Sequence, residues 1–242
     1  MPIRQVIKRA LPLSILTSYR RAKFLLRNGD RPEKCQSVFE KIHDSNHWGS
    51  RSSVSGPGSE MRETEDIRSL LPPLLCRLDI KSFLDAPCGD FSWMKHVDLS
   101  GCDYIGADVV PALIERNQAE YERPGRRFVH ADLTKDSLPK ADIILCRDCL
   151  IHLSFKEALA TIKNFQKSGA CYVLMTTDPT VKANRPVRTG GYRALNMQLA
   201  PFNFPHPQEL HRDRYSAKDG RELIDPNKSI GLYRLCDLRL SR

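Results

Sequence analysis

Glycine is scarce where a pyrophosphate-binding sheet needs it most. The turn after the apolar strand KSFLDAP reads CGDFSW and holds a single glycine, Gly89, so the glycine-rich loop of a nicotinamide-dependent oxidoreductase is missing. Zinc spacing is missing too: Cys146 and Cys149 form a CxxC at a strand end, with no second pair to complete a site. The eight cysteines are scattered, several inside apolar runs such as IILCRDCL and ACYVLM, and read as small buried hydrophobes in a reducing compartment. No low-complexity tract and no repeat occurs in the 242 residues, a length that holds one sizeable core plus an accessory segment.

Acidic residues are scarce at the start of the chain. Residues 1–34 carry nine Lys/Arg against Asp30 and Glu33, a balance of +7, so the rest carries only +2 of the formal +9. The basic pI therefore describes an arm and not a basic body, which opposes a nucleic-acid enzyme or binding module. The arm lacks a membrane span: its longest apolar run, ALPLSILTSY, is too short and contains Pro12. Arg20, Arg21, Lys23 and Arg27 follow at once and no small-residue cleavage site appears, which argues against a signal peptide. Two readings of the arm weigh equally: an amphipathic segment for an anionic membrane surface or a protein partner, and a helix packed on its own domain. The expected location is the cytoplasm, at the inner membrane surface if the arm binds lipid.

Three regions follow: the arm (1–34), a lid or linker (35–61), and a domain (62–242) with an insertion at about 180–212. From residue 62 helix and strand patterns alternate. TEDIRSLLPPLLCRL reads as a helix broken near Pro72-Pro73, with Thr64 as a cap. Strand KSFLDAP, short helix FSWMKHVDL, strand CDYIGADV, helix VPALIERNQAEYE and strand RRFVHADL come next. Strand ADIILCRD, helix SFKEALATIKNFQK with Ser154 at its cap, and strand ACYVLMTT complete the series. This is the rhythm of a doubly wound parallel sheet. QELHRDR and IGLYRLCDL then read as a closing antiparallel hairpin, which makes seven strands.

An open parallel sheet binds ligands at the carboxyl ends of its strands. Here those ends read Asp85-Ala-Pro-Cys-Gly89-Asp90, Gly106-Ala-Asp108, His130-Ala-Asp132 and Cys146-Arg147-Asp148, each delivering a carboxylate to one edge. Asp108 stands near the spacing at which an acidic residue on the second strand reaches ribose hydroxyls. A carboxylate-lined edge repels pyrophosphate and favours a cationic or neutral nucleoside cofactor. S-adenosyl-L-methionine, with a sulfonium, an ammonium, a ribose and no phosphate, fits.

The ordered run DAPCGDFSW, YIGADVV, FVHADL, DIILCRDCLIHL and YVLMTT resembles the motifs of class I S-adenosylmethionine-dependent methyltransferases. It is most similar to a bacterial subgroup with the further motifs NHWGSRSSVSGPGS, PFNFP and NKSIGLYRL, some of whose members are associated with glycan modification. The family usually has three glycines in the first loop, where this chain has Pro87, Gly89 and Phe91. The resemblance implies a Rossmann-like α/β fold with a mostly parallel seven-stranded sheet. It also places Asp85 and Gly89, with Asp90 beside them, under the methionine part of the cofactor. Asp108 is expected at the ribose, Asp132 at the adenine amino group, Leu133 against the ring, and Cys146 and Arg147 beneath the sulfonium. Turn capping is the competing reading for Asp85 and Asp132.

The small polar stretch with Trp48 and Ser59 reads as a lid over cofactor and substrate, or else as a linker. Methyl transfer to a hydroxyl benefits from a general base, and His152, four residues after Asp148, is the candidate with Asp148 assisting. The competing role for His152 is a helix cap near Ser154. A metal in place of this base would want an aspartate pair at the fourth strand, which is absent, so no metal is expected. Tyr192, Arg193, Phe202, Asn203 and Phe204 of the insertion are the candidate acceptor-binding residues, unless the insertion is a hydrophobic plug over the sheet. The expected activity is O-methylation of a saccharide or glycan intermediate. Alternatives are methylation of another small metabolite or of nucleic acid, a nicotinamide-dependent oxidoreductase, and an inactive scaffold, the last disfavoured because every site carboxylate is present.

Overall fold

The computed structural model describes residues 34–50, 52–213, 215–216, 223–225 and 227–240, so the expectations for the basic arm fall almost wholly outside it. Helix α1 (Cys35–Asp44) comes first, then α2 (Glu65–Arg77). The α/β series runs β1 (Ser82–Asp85), β2 (Asp103–Asp108), α3 (Pro111–Tyr121), β3 (Arg126–His130), β4 (Ile143–Cys146), α4 (Phe155–Ser168) and β5 (Tyr172–Thr177). After an irregular stretch come β6 (Glu209–Arg212), a two-stranded ribbon of β7 (Tyr215–Ser216) and β8 (Leu223–Asp225), and β9 (Ser229–Arg234).

The main sheet has seven strands in the order β3-β2-β1-β4-β5-β9-β6. The five leftmost run parallel, and β9 enters antiparallel between β5 and β6. This is the mostly parallel doubly wound sheet with an antiparallel close that the sequence implied. Strand order reverses between β1 and β4, so their carboxyl ends open the crevice where such sheets bind ligands. Alternation along each strand divides the core in two. Leu84, Ile105, Ile144 and Val173 face the layer of α4, while Phe83, Tyr104, Ile143 and Leu174 face that of α2.

Two elements differ from their sequence reading. Helix α2 runs unbroken through Pro72 and Pro73, because Ile67, Leu71, Leu74 and Leu75 form one buried stripe. Four such side chains contribute about 1.5–3 kcal/mol each, against roughly 3 kcal/mol for an interior proline. The helix expected over FSWMKHVDL shrinks to a single 3-10 turn at Met94–His96, since Phe91 before it lies in the left-handed region (φ +57°). Among the described residues no helix is long and apolar enough to cross a membrane.

Candidate active site

The carboxyl edge of the sheet opens into a cavity of about 540 Å³. Its first wall is the single-glycine loop after β1. The Cys88 N–H donates to the Ala107 carbonyl (2.9 Å), the Gly89 N–H to Asp108 Oδ2 (3.0 Å), and Asn117 Nδ2 to the Gly89 carbonyl (2.8 Å). Neighbouring groups thus fix the turn that extra glycines usually allow. Gly89 suits its place: its φ is +55°, and a Cβ would stand 2.2 Å from Ser55 Oγ. Phe91 tolerates its own positive φ because it is buried among Tyr104, Tyr121 and Phe128, with ring centroids 5.1–5.2 Å away.

Asp85 and Asp108 both line the cavity and are buried. Asp85 accepts the Tyr104 hydroxyl at 2.7 Å, and burial pushes its pKa up to about 7. Asp108 accepts the Gly89 and Val110 N–H groups, one on each oxygen, and burial raises it despite those bonds. Asp132 and Leu133 line the cavity as well. Asp132 also caps its turn through the Thr134 N–H and hydroxyl and pairs with Lys135 at 3.0 Å. Burial pushes its pKa up, and Thr134 and Lys135 together bring it below the usual value.

Two residues placed with the cofactor by sequence do not line the cavity. Asp90 turns away and binds Ser53 Oγ (2.8 Å) and the Val54 N–H (3.0 Å), fastening the lid stretch to the loop. Cys146 points into the apolar core, because alternation along β4 sends it to the α4 side. Trp48 and Ser59 do line it.

Arg147 borders the cavity, but its guanidinium has no donor left for a ligand. Nε and Nη2 grip Asp213, Nη1 donates to the Gly58 carbonyl (2.8 Å) and lies 3.3 Å from Asp148, and Nη2 also donates to the Glu63 carbonyl (3.1 Å). Lys228, 2.7 Å from Asp148 and 3.1 Å from Asp213, completes a quartet in which Asp148 alone is partly exposed. Burial disfavours the Asp148 carboxylate, but Lys228 and Arg147 hold its pKa well below the usual range. Arg147 therefore ties the lid to the end of β4, which is a different task from the contact with the sulfonium that the sequence implied. Asp213 and Lys228 escaped the sequence reading. Lys228 sits in the quoted motif NKSIGLYRL, but nothing in its spacing couples it to the fourth strand.

His152 is held by backbone, not by Asp148. Its Nδ1 lies 2.7 Å from the Gly191 carbonyl, so Nδ1 carries the proton and Nε2 of the neutral ring is left as an acceptor. Burial lowers the His152 pKa, while Gly191 and the Asp148 charge oppose it. Asp148 thus acts on the ring through its field alone, since its oxygens bond Thr176 and Lys228. Nor does His152 cap α4: Ser154 does, in a reciprocal box with Glu157.

The outer wall comes from α1 and the turn at Gly190. Phe39, Trp48, His152 and Tyr192 form a chain of rings with successive centroids 6.3, 5.1 and 6.0 Å apart. Gly190, at φ +89°, lets the turn close on α1, where a Cβ would meet Val38 Cγ1 at 2.7 Å. The contribution of α1 was missed because the lid reading rested on the polar stretch after it. Of the acceptor candidates only Tyr192 reaches the cavity. Arg193 is buried over the Phe155 ring at 4.5 Å. Phe202 and Phe204 are buried in the α4-side core, and exposed Asn203 sits in the turn between them. That part of the insertion is the hydrophobic plug.

A family model described as a methyltransferase domain matches residues 59–219, well over half of the chain. The chain belongs to this methyltransferase domain family. The methyltransferase is similar in fold to Burkholderia thailandensis 1,6-didemethyltoxoflavin-N1-methyltransferase, solved with 1,6-didemethyltoxoflavin and S-adenosylhomocysteine. That pair has a TM-score of 0.58 at 15% identity, covering 84% of this chain and 90% of that one. Human N-acetylserotonin methyltransferase in complex with S-adenosylmethionine gives 0.52 at 16% identity, covering 87% and 61%. The PH0226 protein of Pyrococcus horikoshii OT3 gives 0.52 at 14% identity, covering 79% and 98%. No curated protein matches the sequence. The expectation of S-adenosylmethionine as cofactor agrees with the first two neighbours.

Asp85 gives the methyltransferase a pH-dependent stability. Its folded pKa of about 7 lies above its ordinary value of 3.8, so the folded state keeps the proton longer than the unfolded chain. Unfolding free energy should therefore fall as pH rises from about 4 to about 7, by an amount of order 3 kcal/mol from this residue. Asp85→Asn should remove that component, so the variant's stability should fall less than the wild type's between pH 5 and pH 8. Urea denaturation of both proteins at the two pH values checks this.

Proposed function

We propose that the protein is an S-adenosylmethionine-dependent methyltransferase that O-methylates a saccharide or glycan intermediate, with His152 as general base. The observation that carries the reading is one cavity bordered at its sheet side by Asp85, Gly89, Asp108 and Asp132, and beyond β4 by a neutral histidine with a fixed tautomer.

The cofactor fits the residues present. The Asp108 carboxylate retains accepting capacity for a ribose hydroxyl, and among the described residues no arginine or lysine lining the cavity is left unpaired to hold a pyrophosphate. S-adenosylmethionine, when bound, supplies an electrophilic methyl group on a sulfonium. The chain's own residues align the acceptor oxygen, exclude water with α1 and the lid, and take up the acceptor's proton on His152 Nε2. An acceptor bearing hydroxyls on a ring with apolar faces suits the Trp48–Tyr192 wall. The basic arm, residues 1–34, is proposed to bring the enzyme to the cytoplasmic membrane surface or to a partner protein.

The test is calorimetry with S-adenosylmethionine. Asp108→Ala is expected to weaken binding about 10- to 100-fold, the worth of a charge-assisted hydrogen bond plus the freed Gly89 turn. Unchanged binding would sink the cofactor assignment.

A further inference from the structure

Among the described residues, five carboxylates line the cavity, Asp85, Asp108, Asp132, Asp148 and Asp178, against two cationic side chains, Arg147 and Lys228. Both cations are already neutralised by Asp148 and by Asp213 behind it. Asp178 is the carboxylate that this arrangement leaves over on the acceptor side.

It stands directly after β5, and its N–H donates to the Leu195 carbonyl (2.7 Å), which fixes it against the acceptor wall. It is only 8% exposed. Oδ1 accepts the Thr180 N–H (2.8 Å) and hydroxyl (2.6 Å), while Oδ2 meets no donor among the described residues. In a residue so little exposed that lines the cavity, an accessible carboxylate oxygen without a donor is placed to accept one from a ligand. The other side of the acceptor space is the ring chain of Trp48, His152 and Tyr192, whose faces attract C–H edges and cations and repel anions.

We infer that Asp178 and the aromatic wall select an acceptor that is neutral or cationic and rich in hydrogen-bond donors, and reject one carrying a phosphate or carboxylate beside the methylated position. The inference deepens the saccharide reading and rests on it for the identity of the ring. It also orders the chemistry: a sugar residue must reach this enzyme before any phosphorylation or oxidation to a uronate at that position.

The experiment measures binding to the full chain saturated with S-adenosylhomocysteine, by ligand-observed NMR, for two charge series. One is methyl glucoside, methyl glucosaminide and methyl glucuronide. The other is phenethyl alcohol, phenethylamine and phenylacetate. The neutral and amino members are expected to bind about ten-fold or more tightly than the anionic one. Asp178→Asn keeps an acceptor for Thr180, and should shrink the gap to about three-fold by weakening the amine and admitting the anion. An anion that binds as well as its neutral partner, or a gap unchanged in Asp178→Asn, overturns the inference. If only the phenyl series binds and shows the order, the inference stands and the saccharide reading falls. If the sugars bind without the order, the reverse holds. No binding in either series counts against both.

Discussion

Arg147→Met is expected to cost about 3–5 kcal/mol of folding free energy, the largest stability change any single substitution near the site should produce. The reason is what remains behind. Asp213 is fully buried and receives two bonds from Arg147, so loss of the guanidinium leaves a carboxylate whose one cationic partner among the described residues is Lys228, itself shared with Asp148. Two further groups lose their donor: the carbonyls of Gly58 and Glu63. Arg147→Lys keeps the charge but lacks the planar fork, so it should recover only part of the loss. Asp213→Asn in the Arg147→Met background should recover more, because it removes the uncompensated charge. Urea denaturation gives the energies. Limited proteolysis within 50–63 reports the lid, which should become cleavable in Arg147→Met even at urea concentrations where the sheet stays folded. A variant as stable as the wild type, with a protected lid, would show that the quartet does not anchor the lid.

The parts of the site that sequence disclosed are those with local rules. Strand ends deliver Asp85, Asp108 and Asp132 because a parallel sheet aligns successive βα units, and the period of the pattern locates each end. Ser154 was legible because a capping box is a four-residue code. The misread residues depend on contacts far along the chain. Cys146 and Arg147 are adjacent, yet one enters the core and the other holds Asp213, 66 residues away. Phe202 and Phe204 looked like an acceptor wall in isolation, but apolar rings between prolines are equally suited to closing a core. Only the packing against Phe155, 6.1 Å from Phe202, decides between the two. Residues Phe39 and Ile42 of α1 reach the cavity through the glycine turn at 190, a meeting that no short-range pattern encodes.

His152→Ala should lower kcat by about 10²- to 10⁴-fold on the true acceptor while leaving S-adenosylhomocysteine affinity within about three-fold. The expected size follows from the nucleophile. An alcohol gives up its proton as the new bond forms, and Nε2 is the acceptor that the Gly191 carbonyl leaves open by holding the proton on Nδ1. Because burial lowers the His152 pKa, the basic form persists to more acid pH than in an ordinary histidine. The wild-type rate should rise with pH along a limb whose midpoint lies below about pH 6.5, the ordinary histidine value. His152→Ala should lose that limb, and added imidazole should restore part of the rate. His152→Gln, which can still donate to Gly191, should stay as slow as the alanine variant, separating proton transfer from ring placement. Acceptor acidity gives a further check: the loss should shrink for a phenolic hydroxyl, which needs less help to ionise. A small, pH-independent loss on an alcohol acceptor would remove His152 from the chemistry and point to a nucleophile that needs no base, such as an amine.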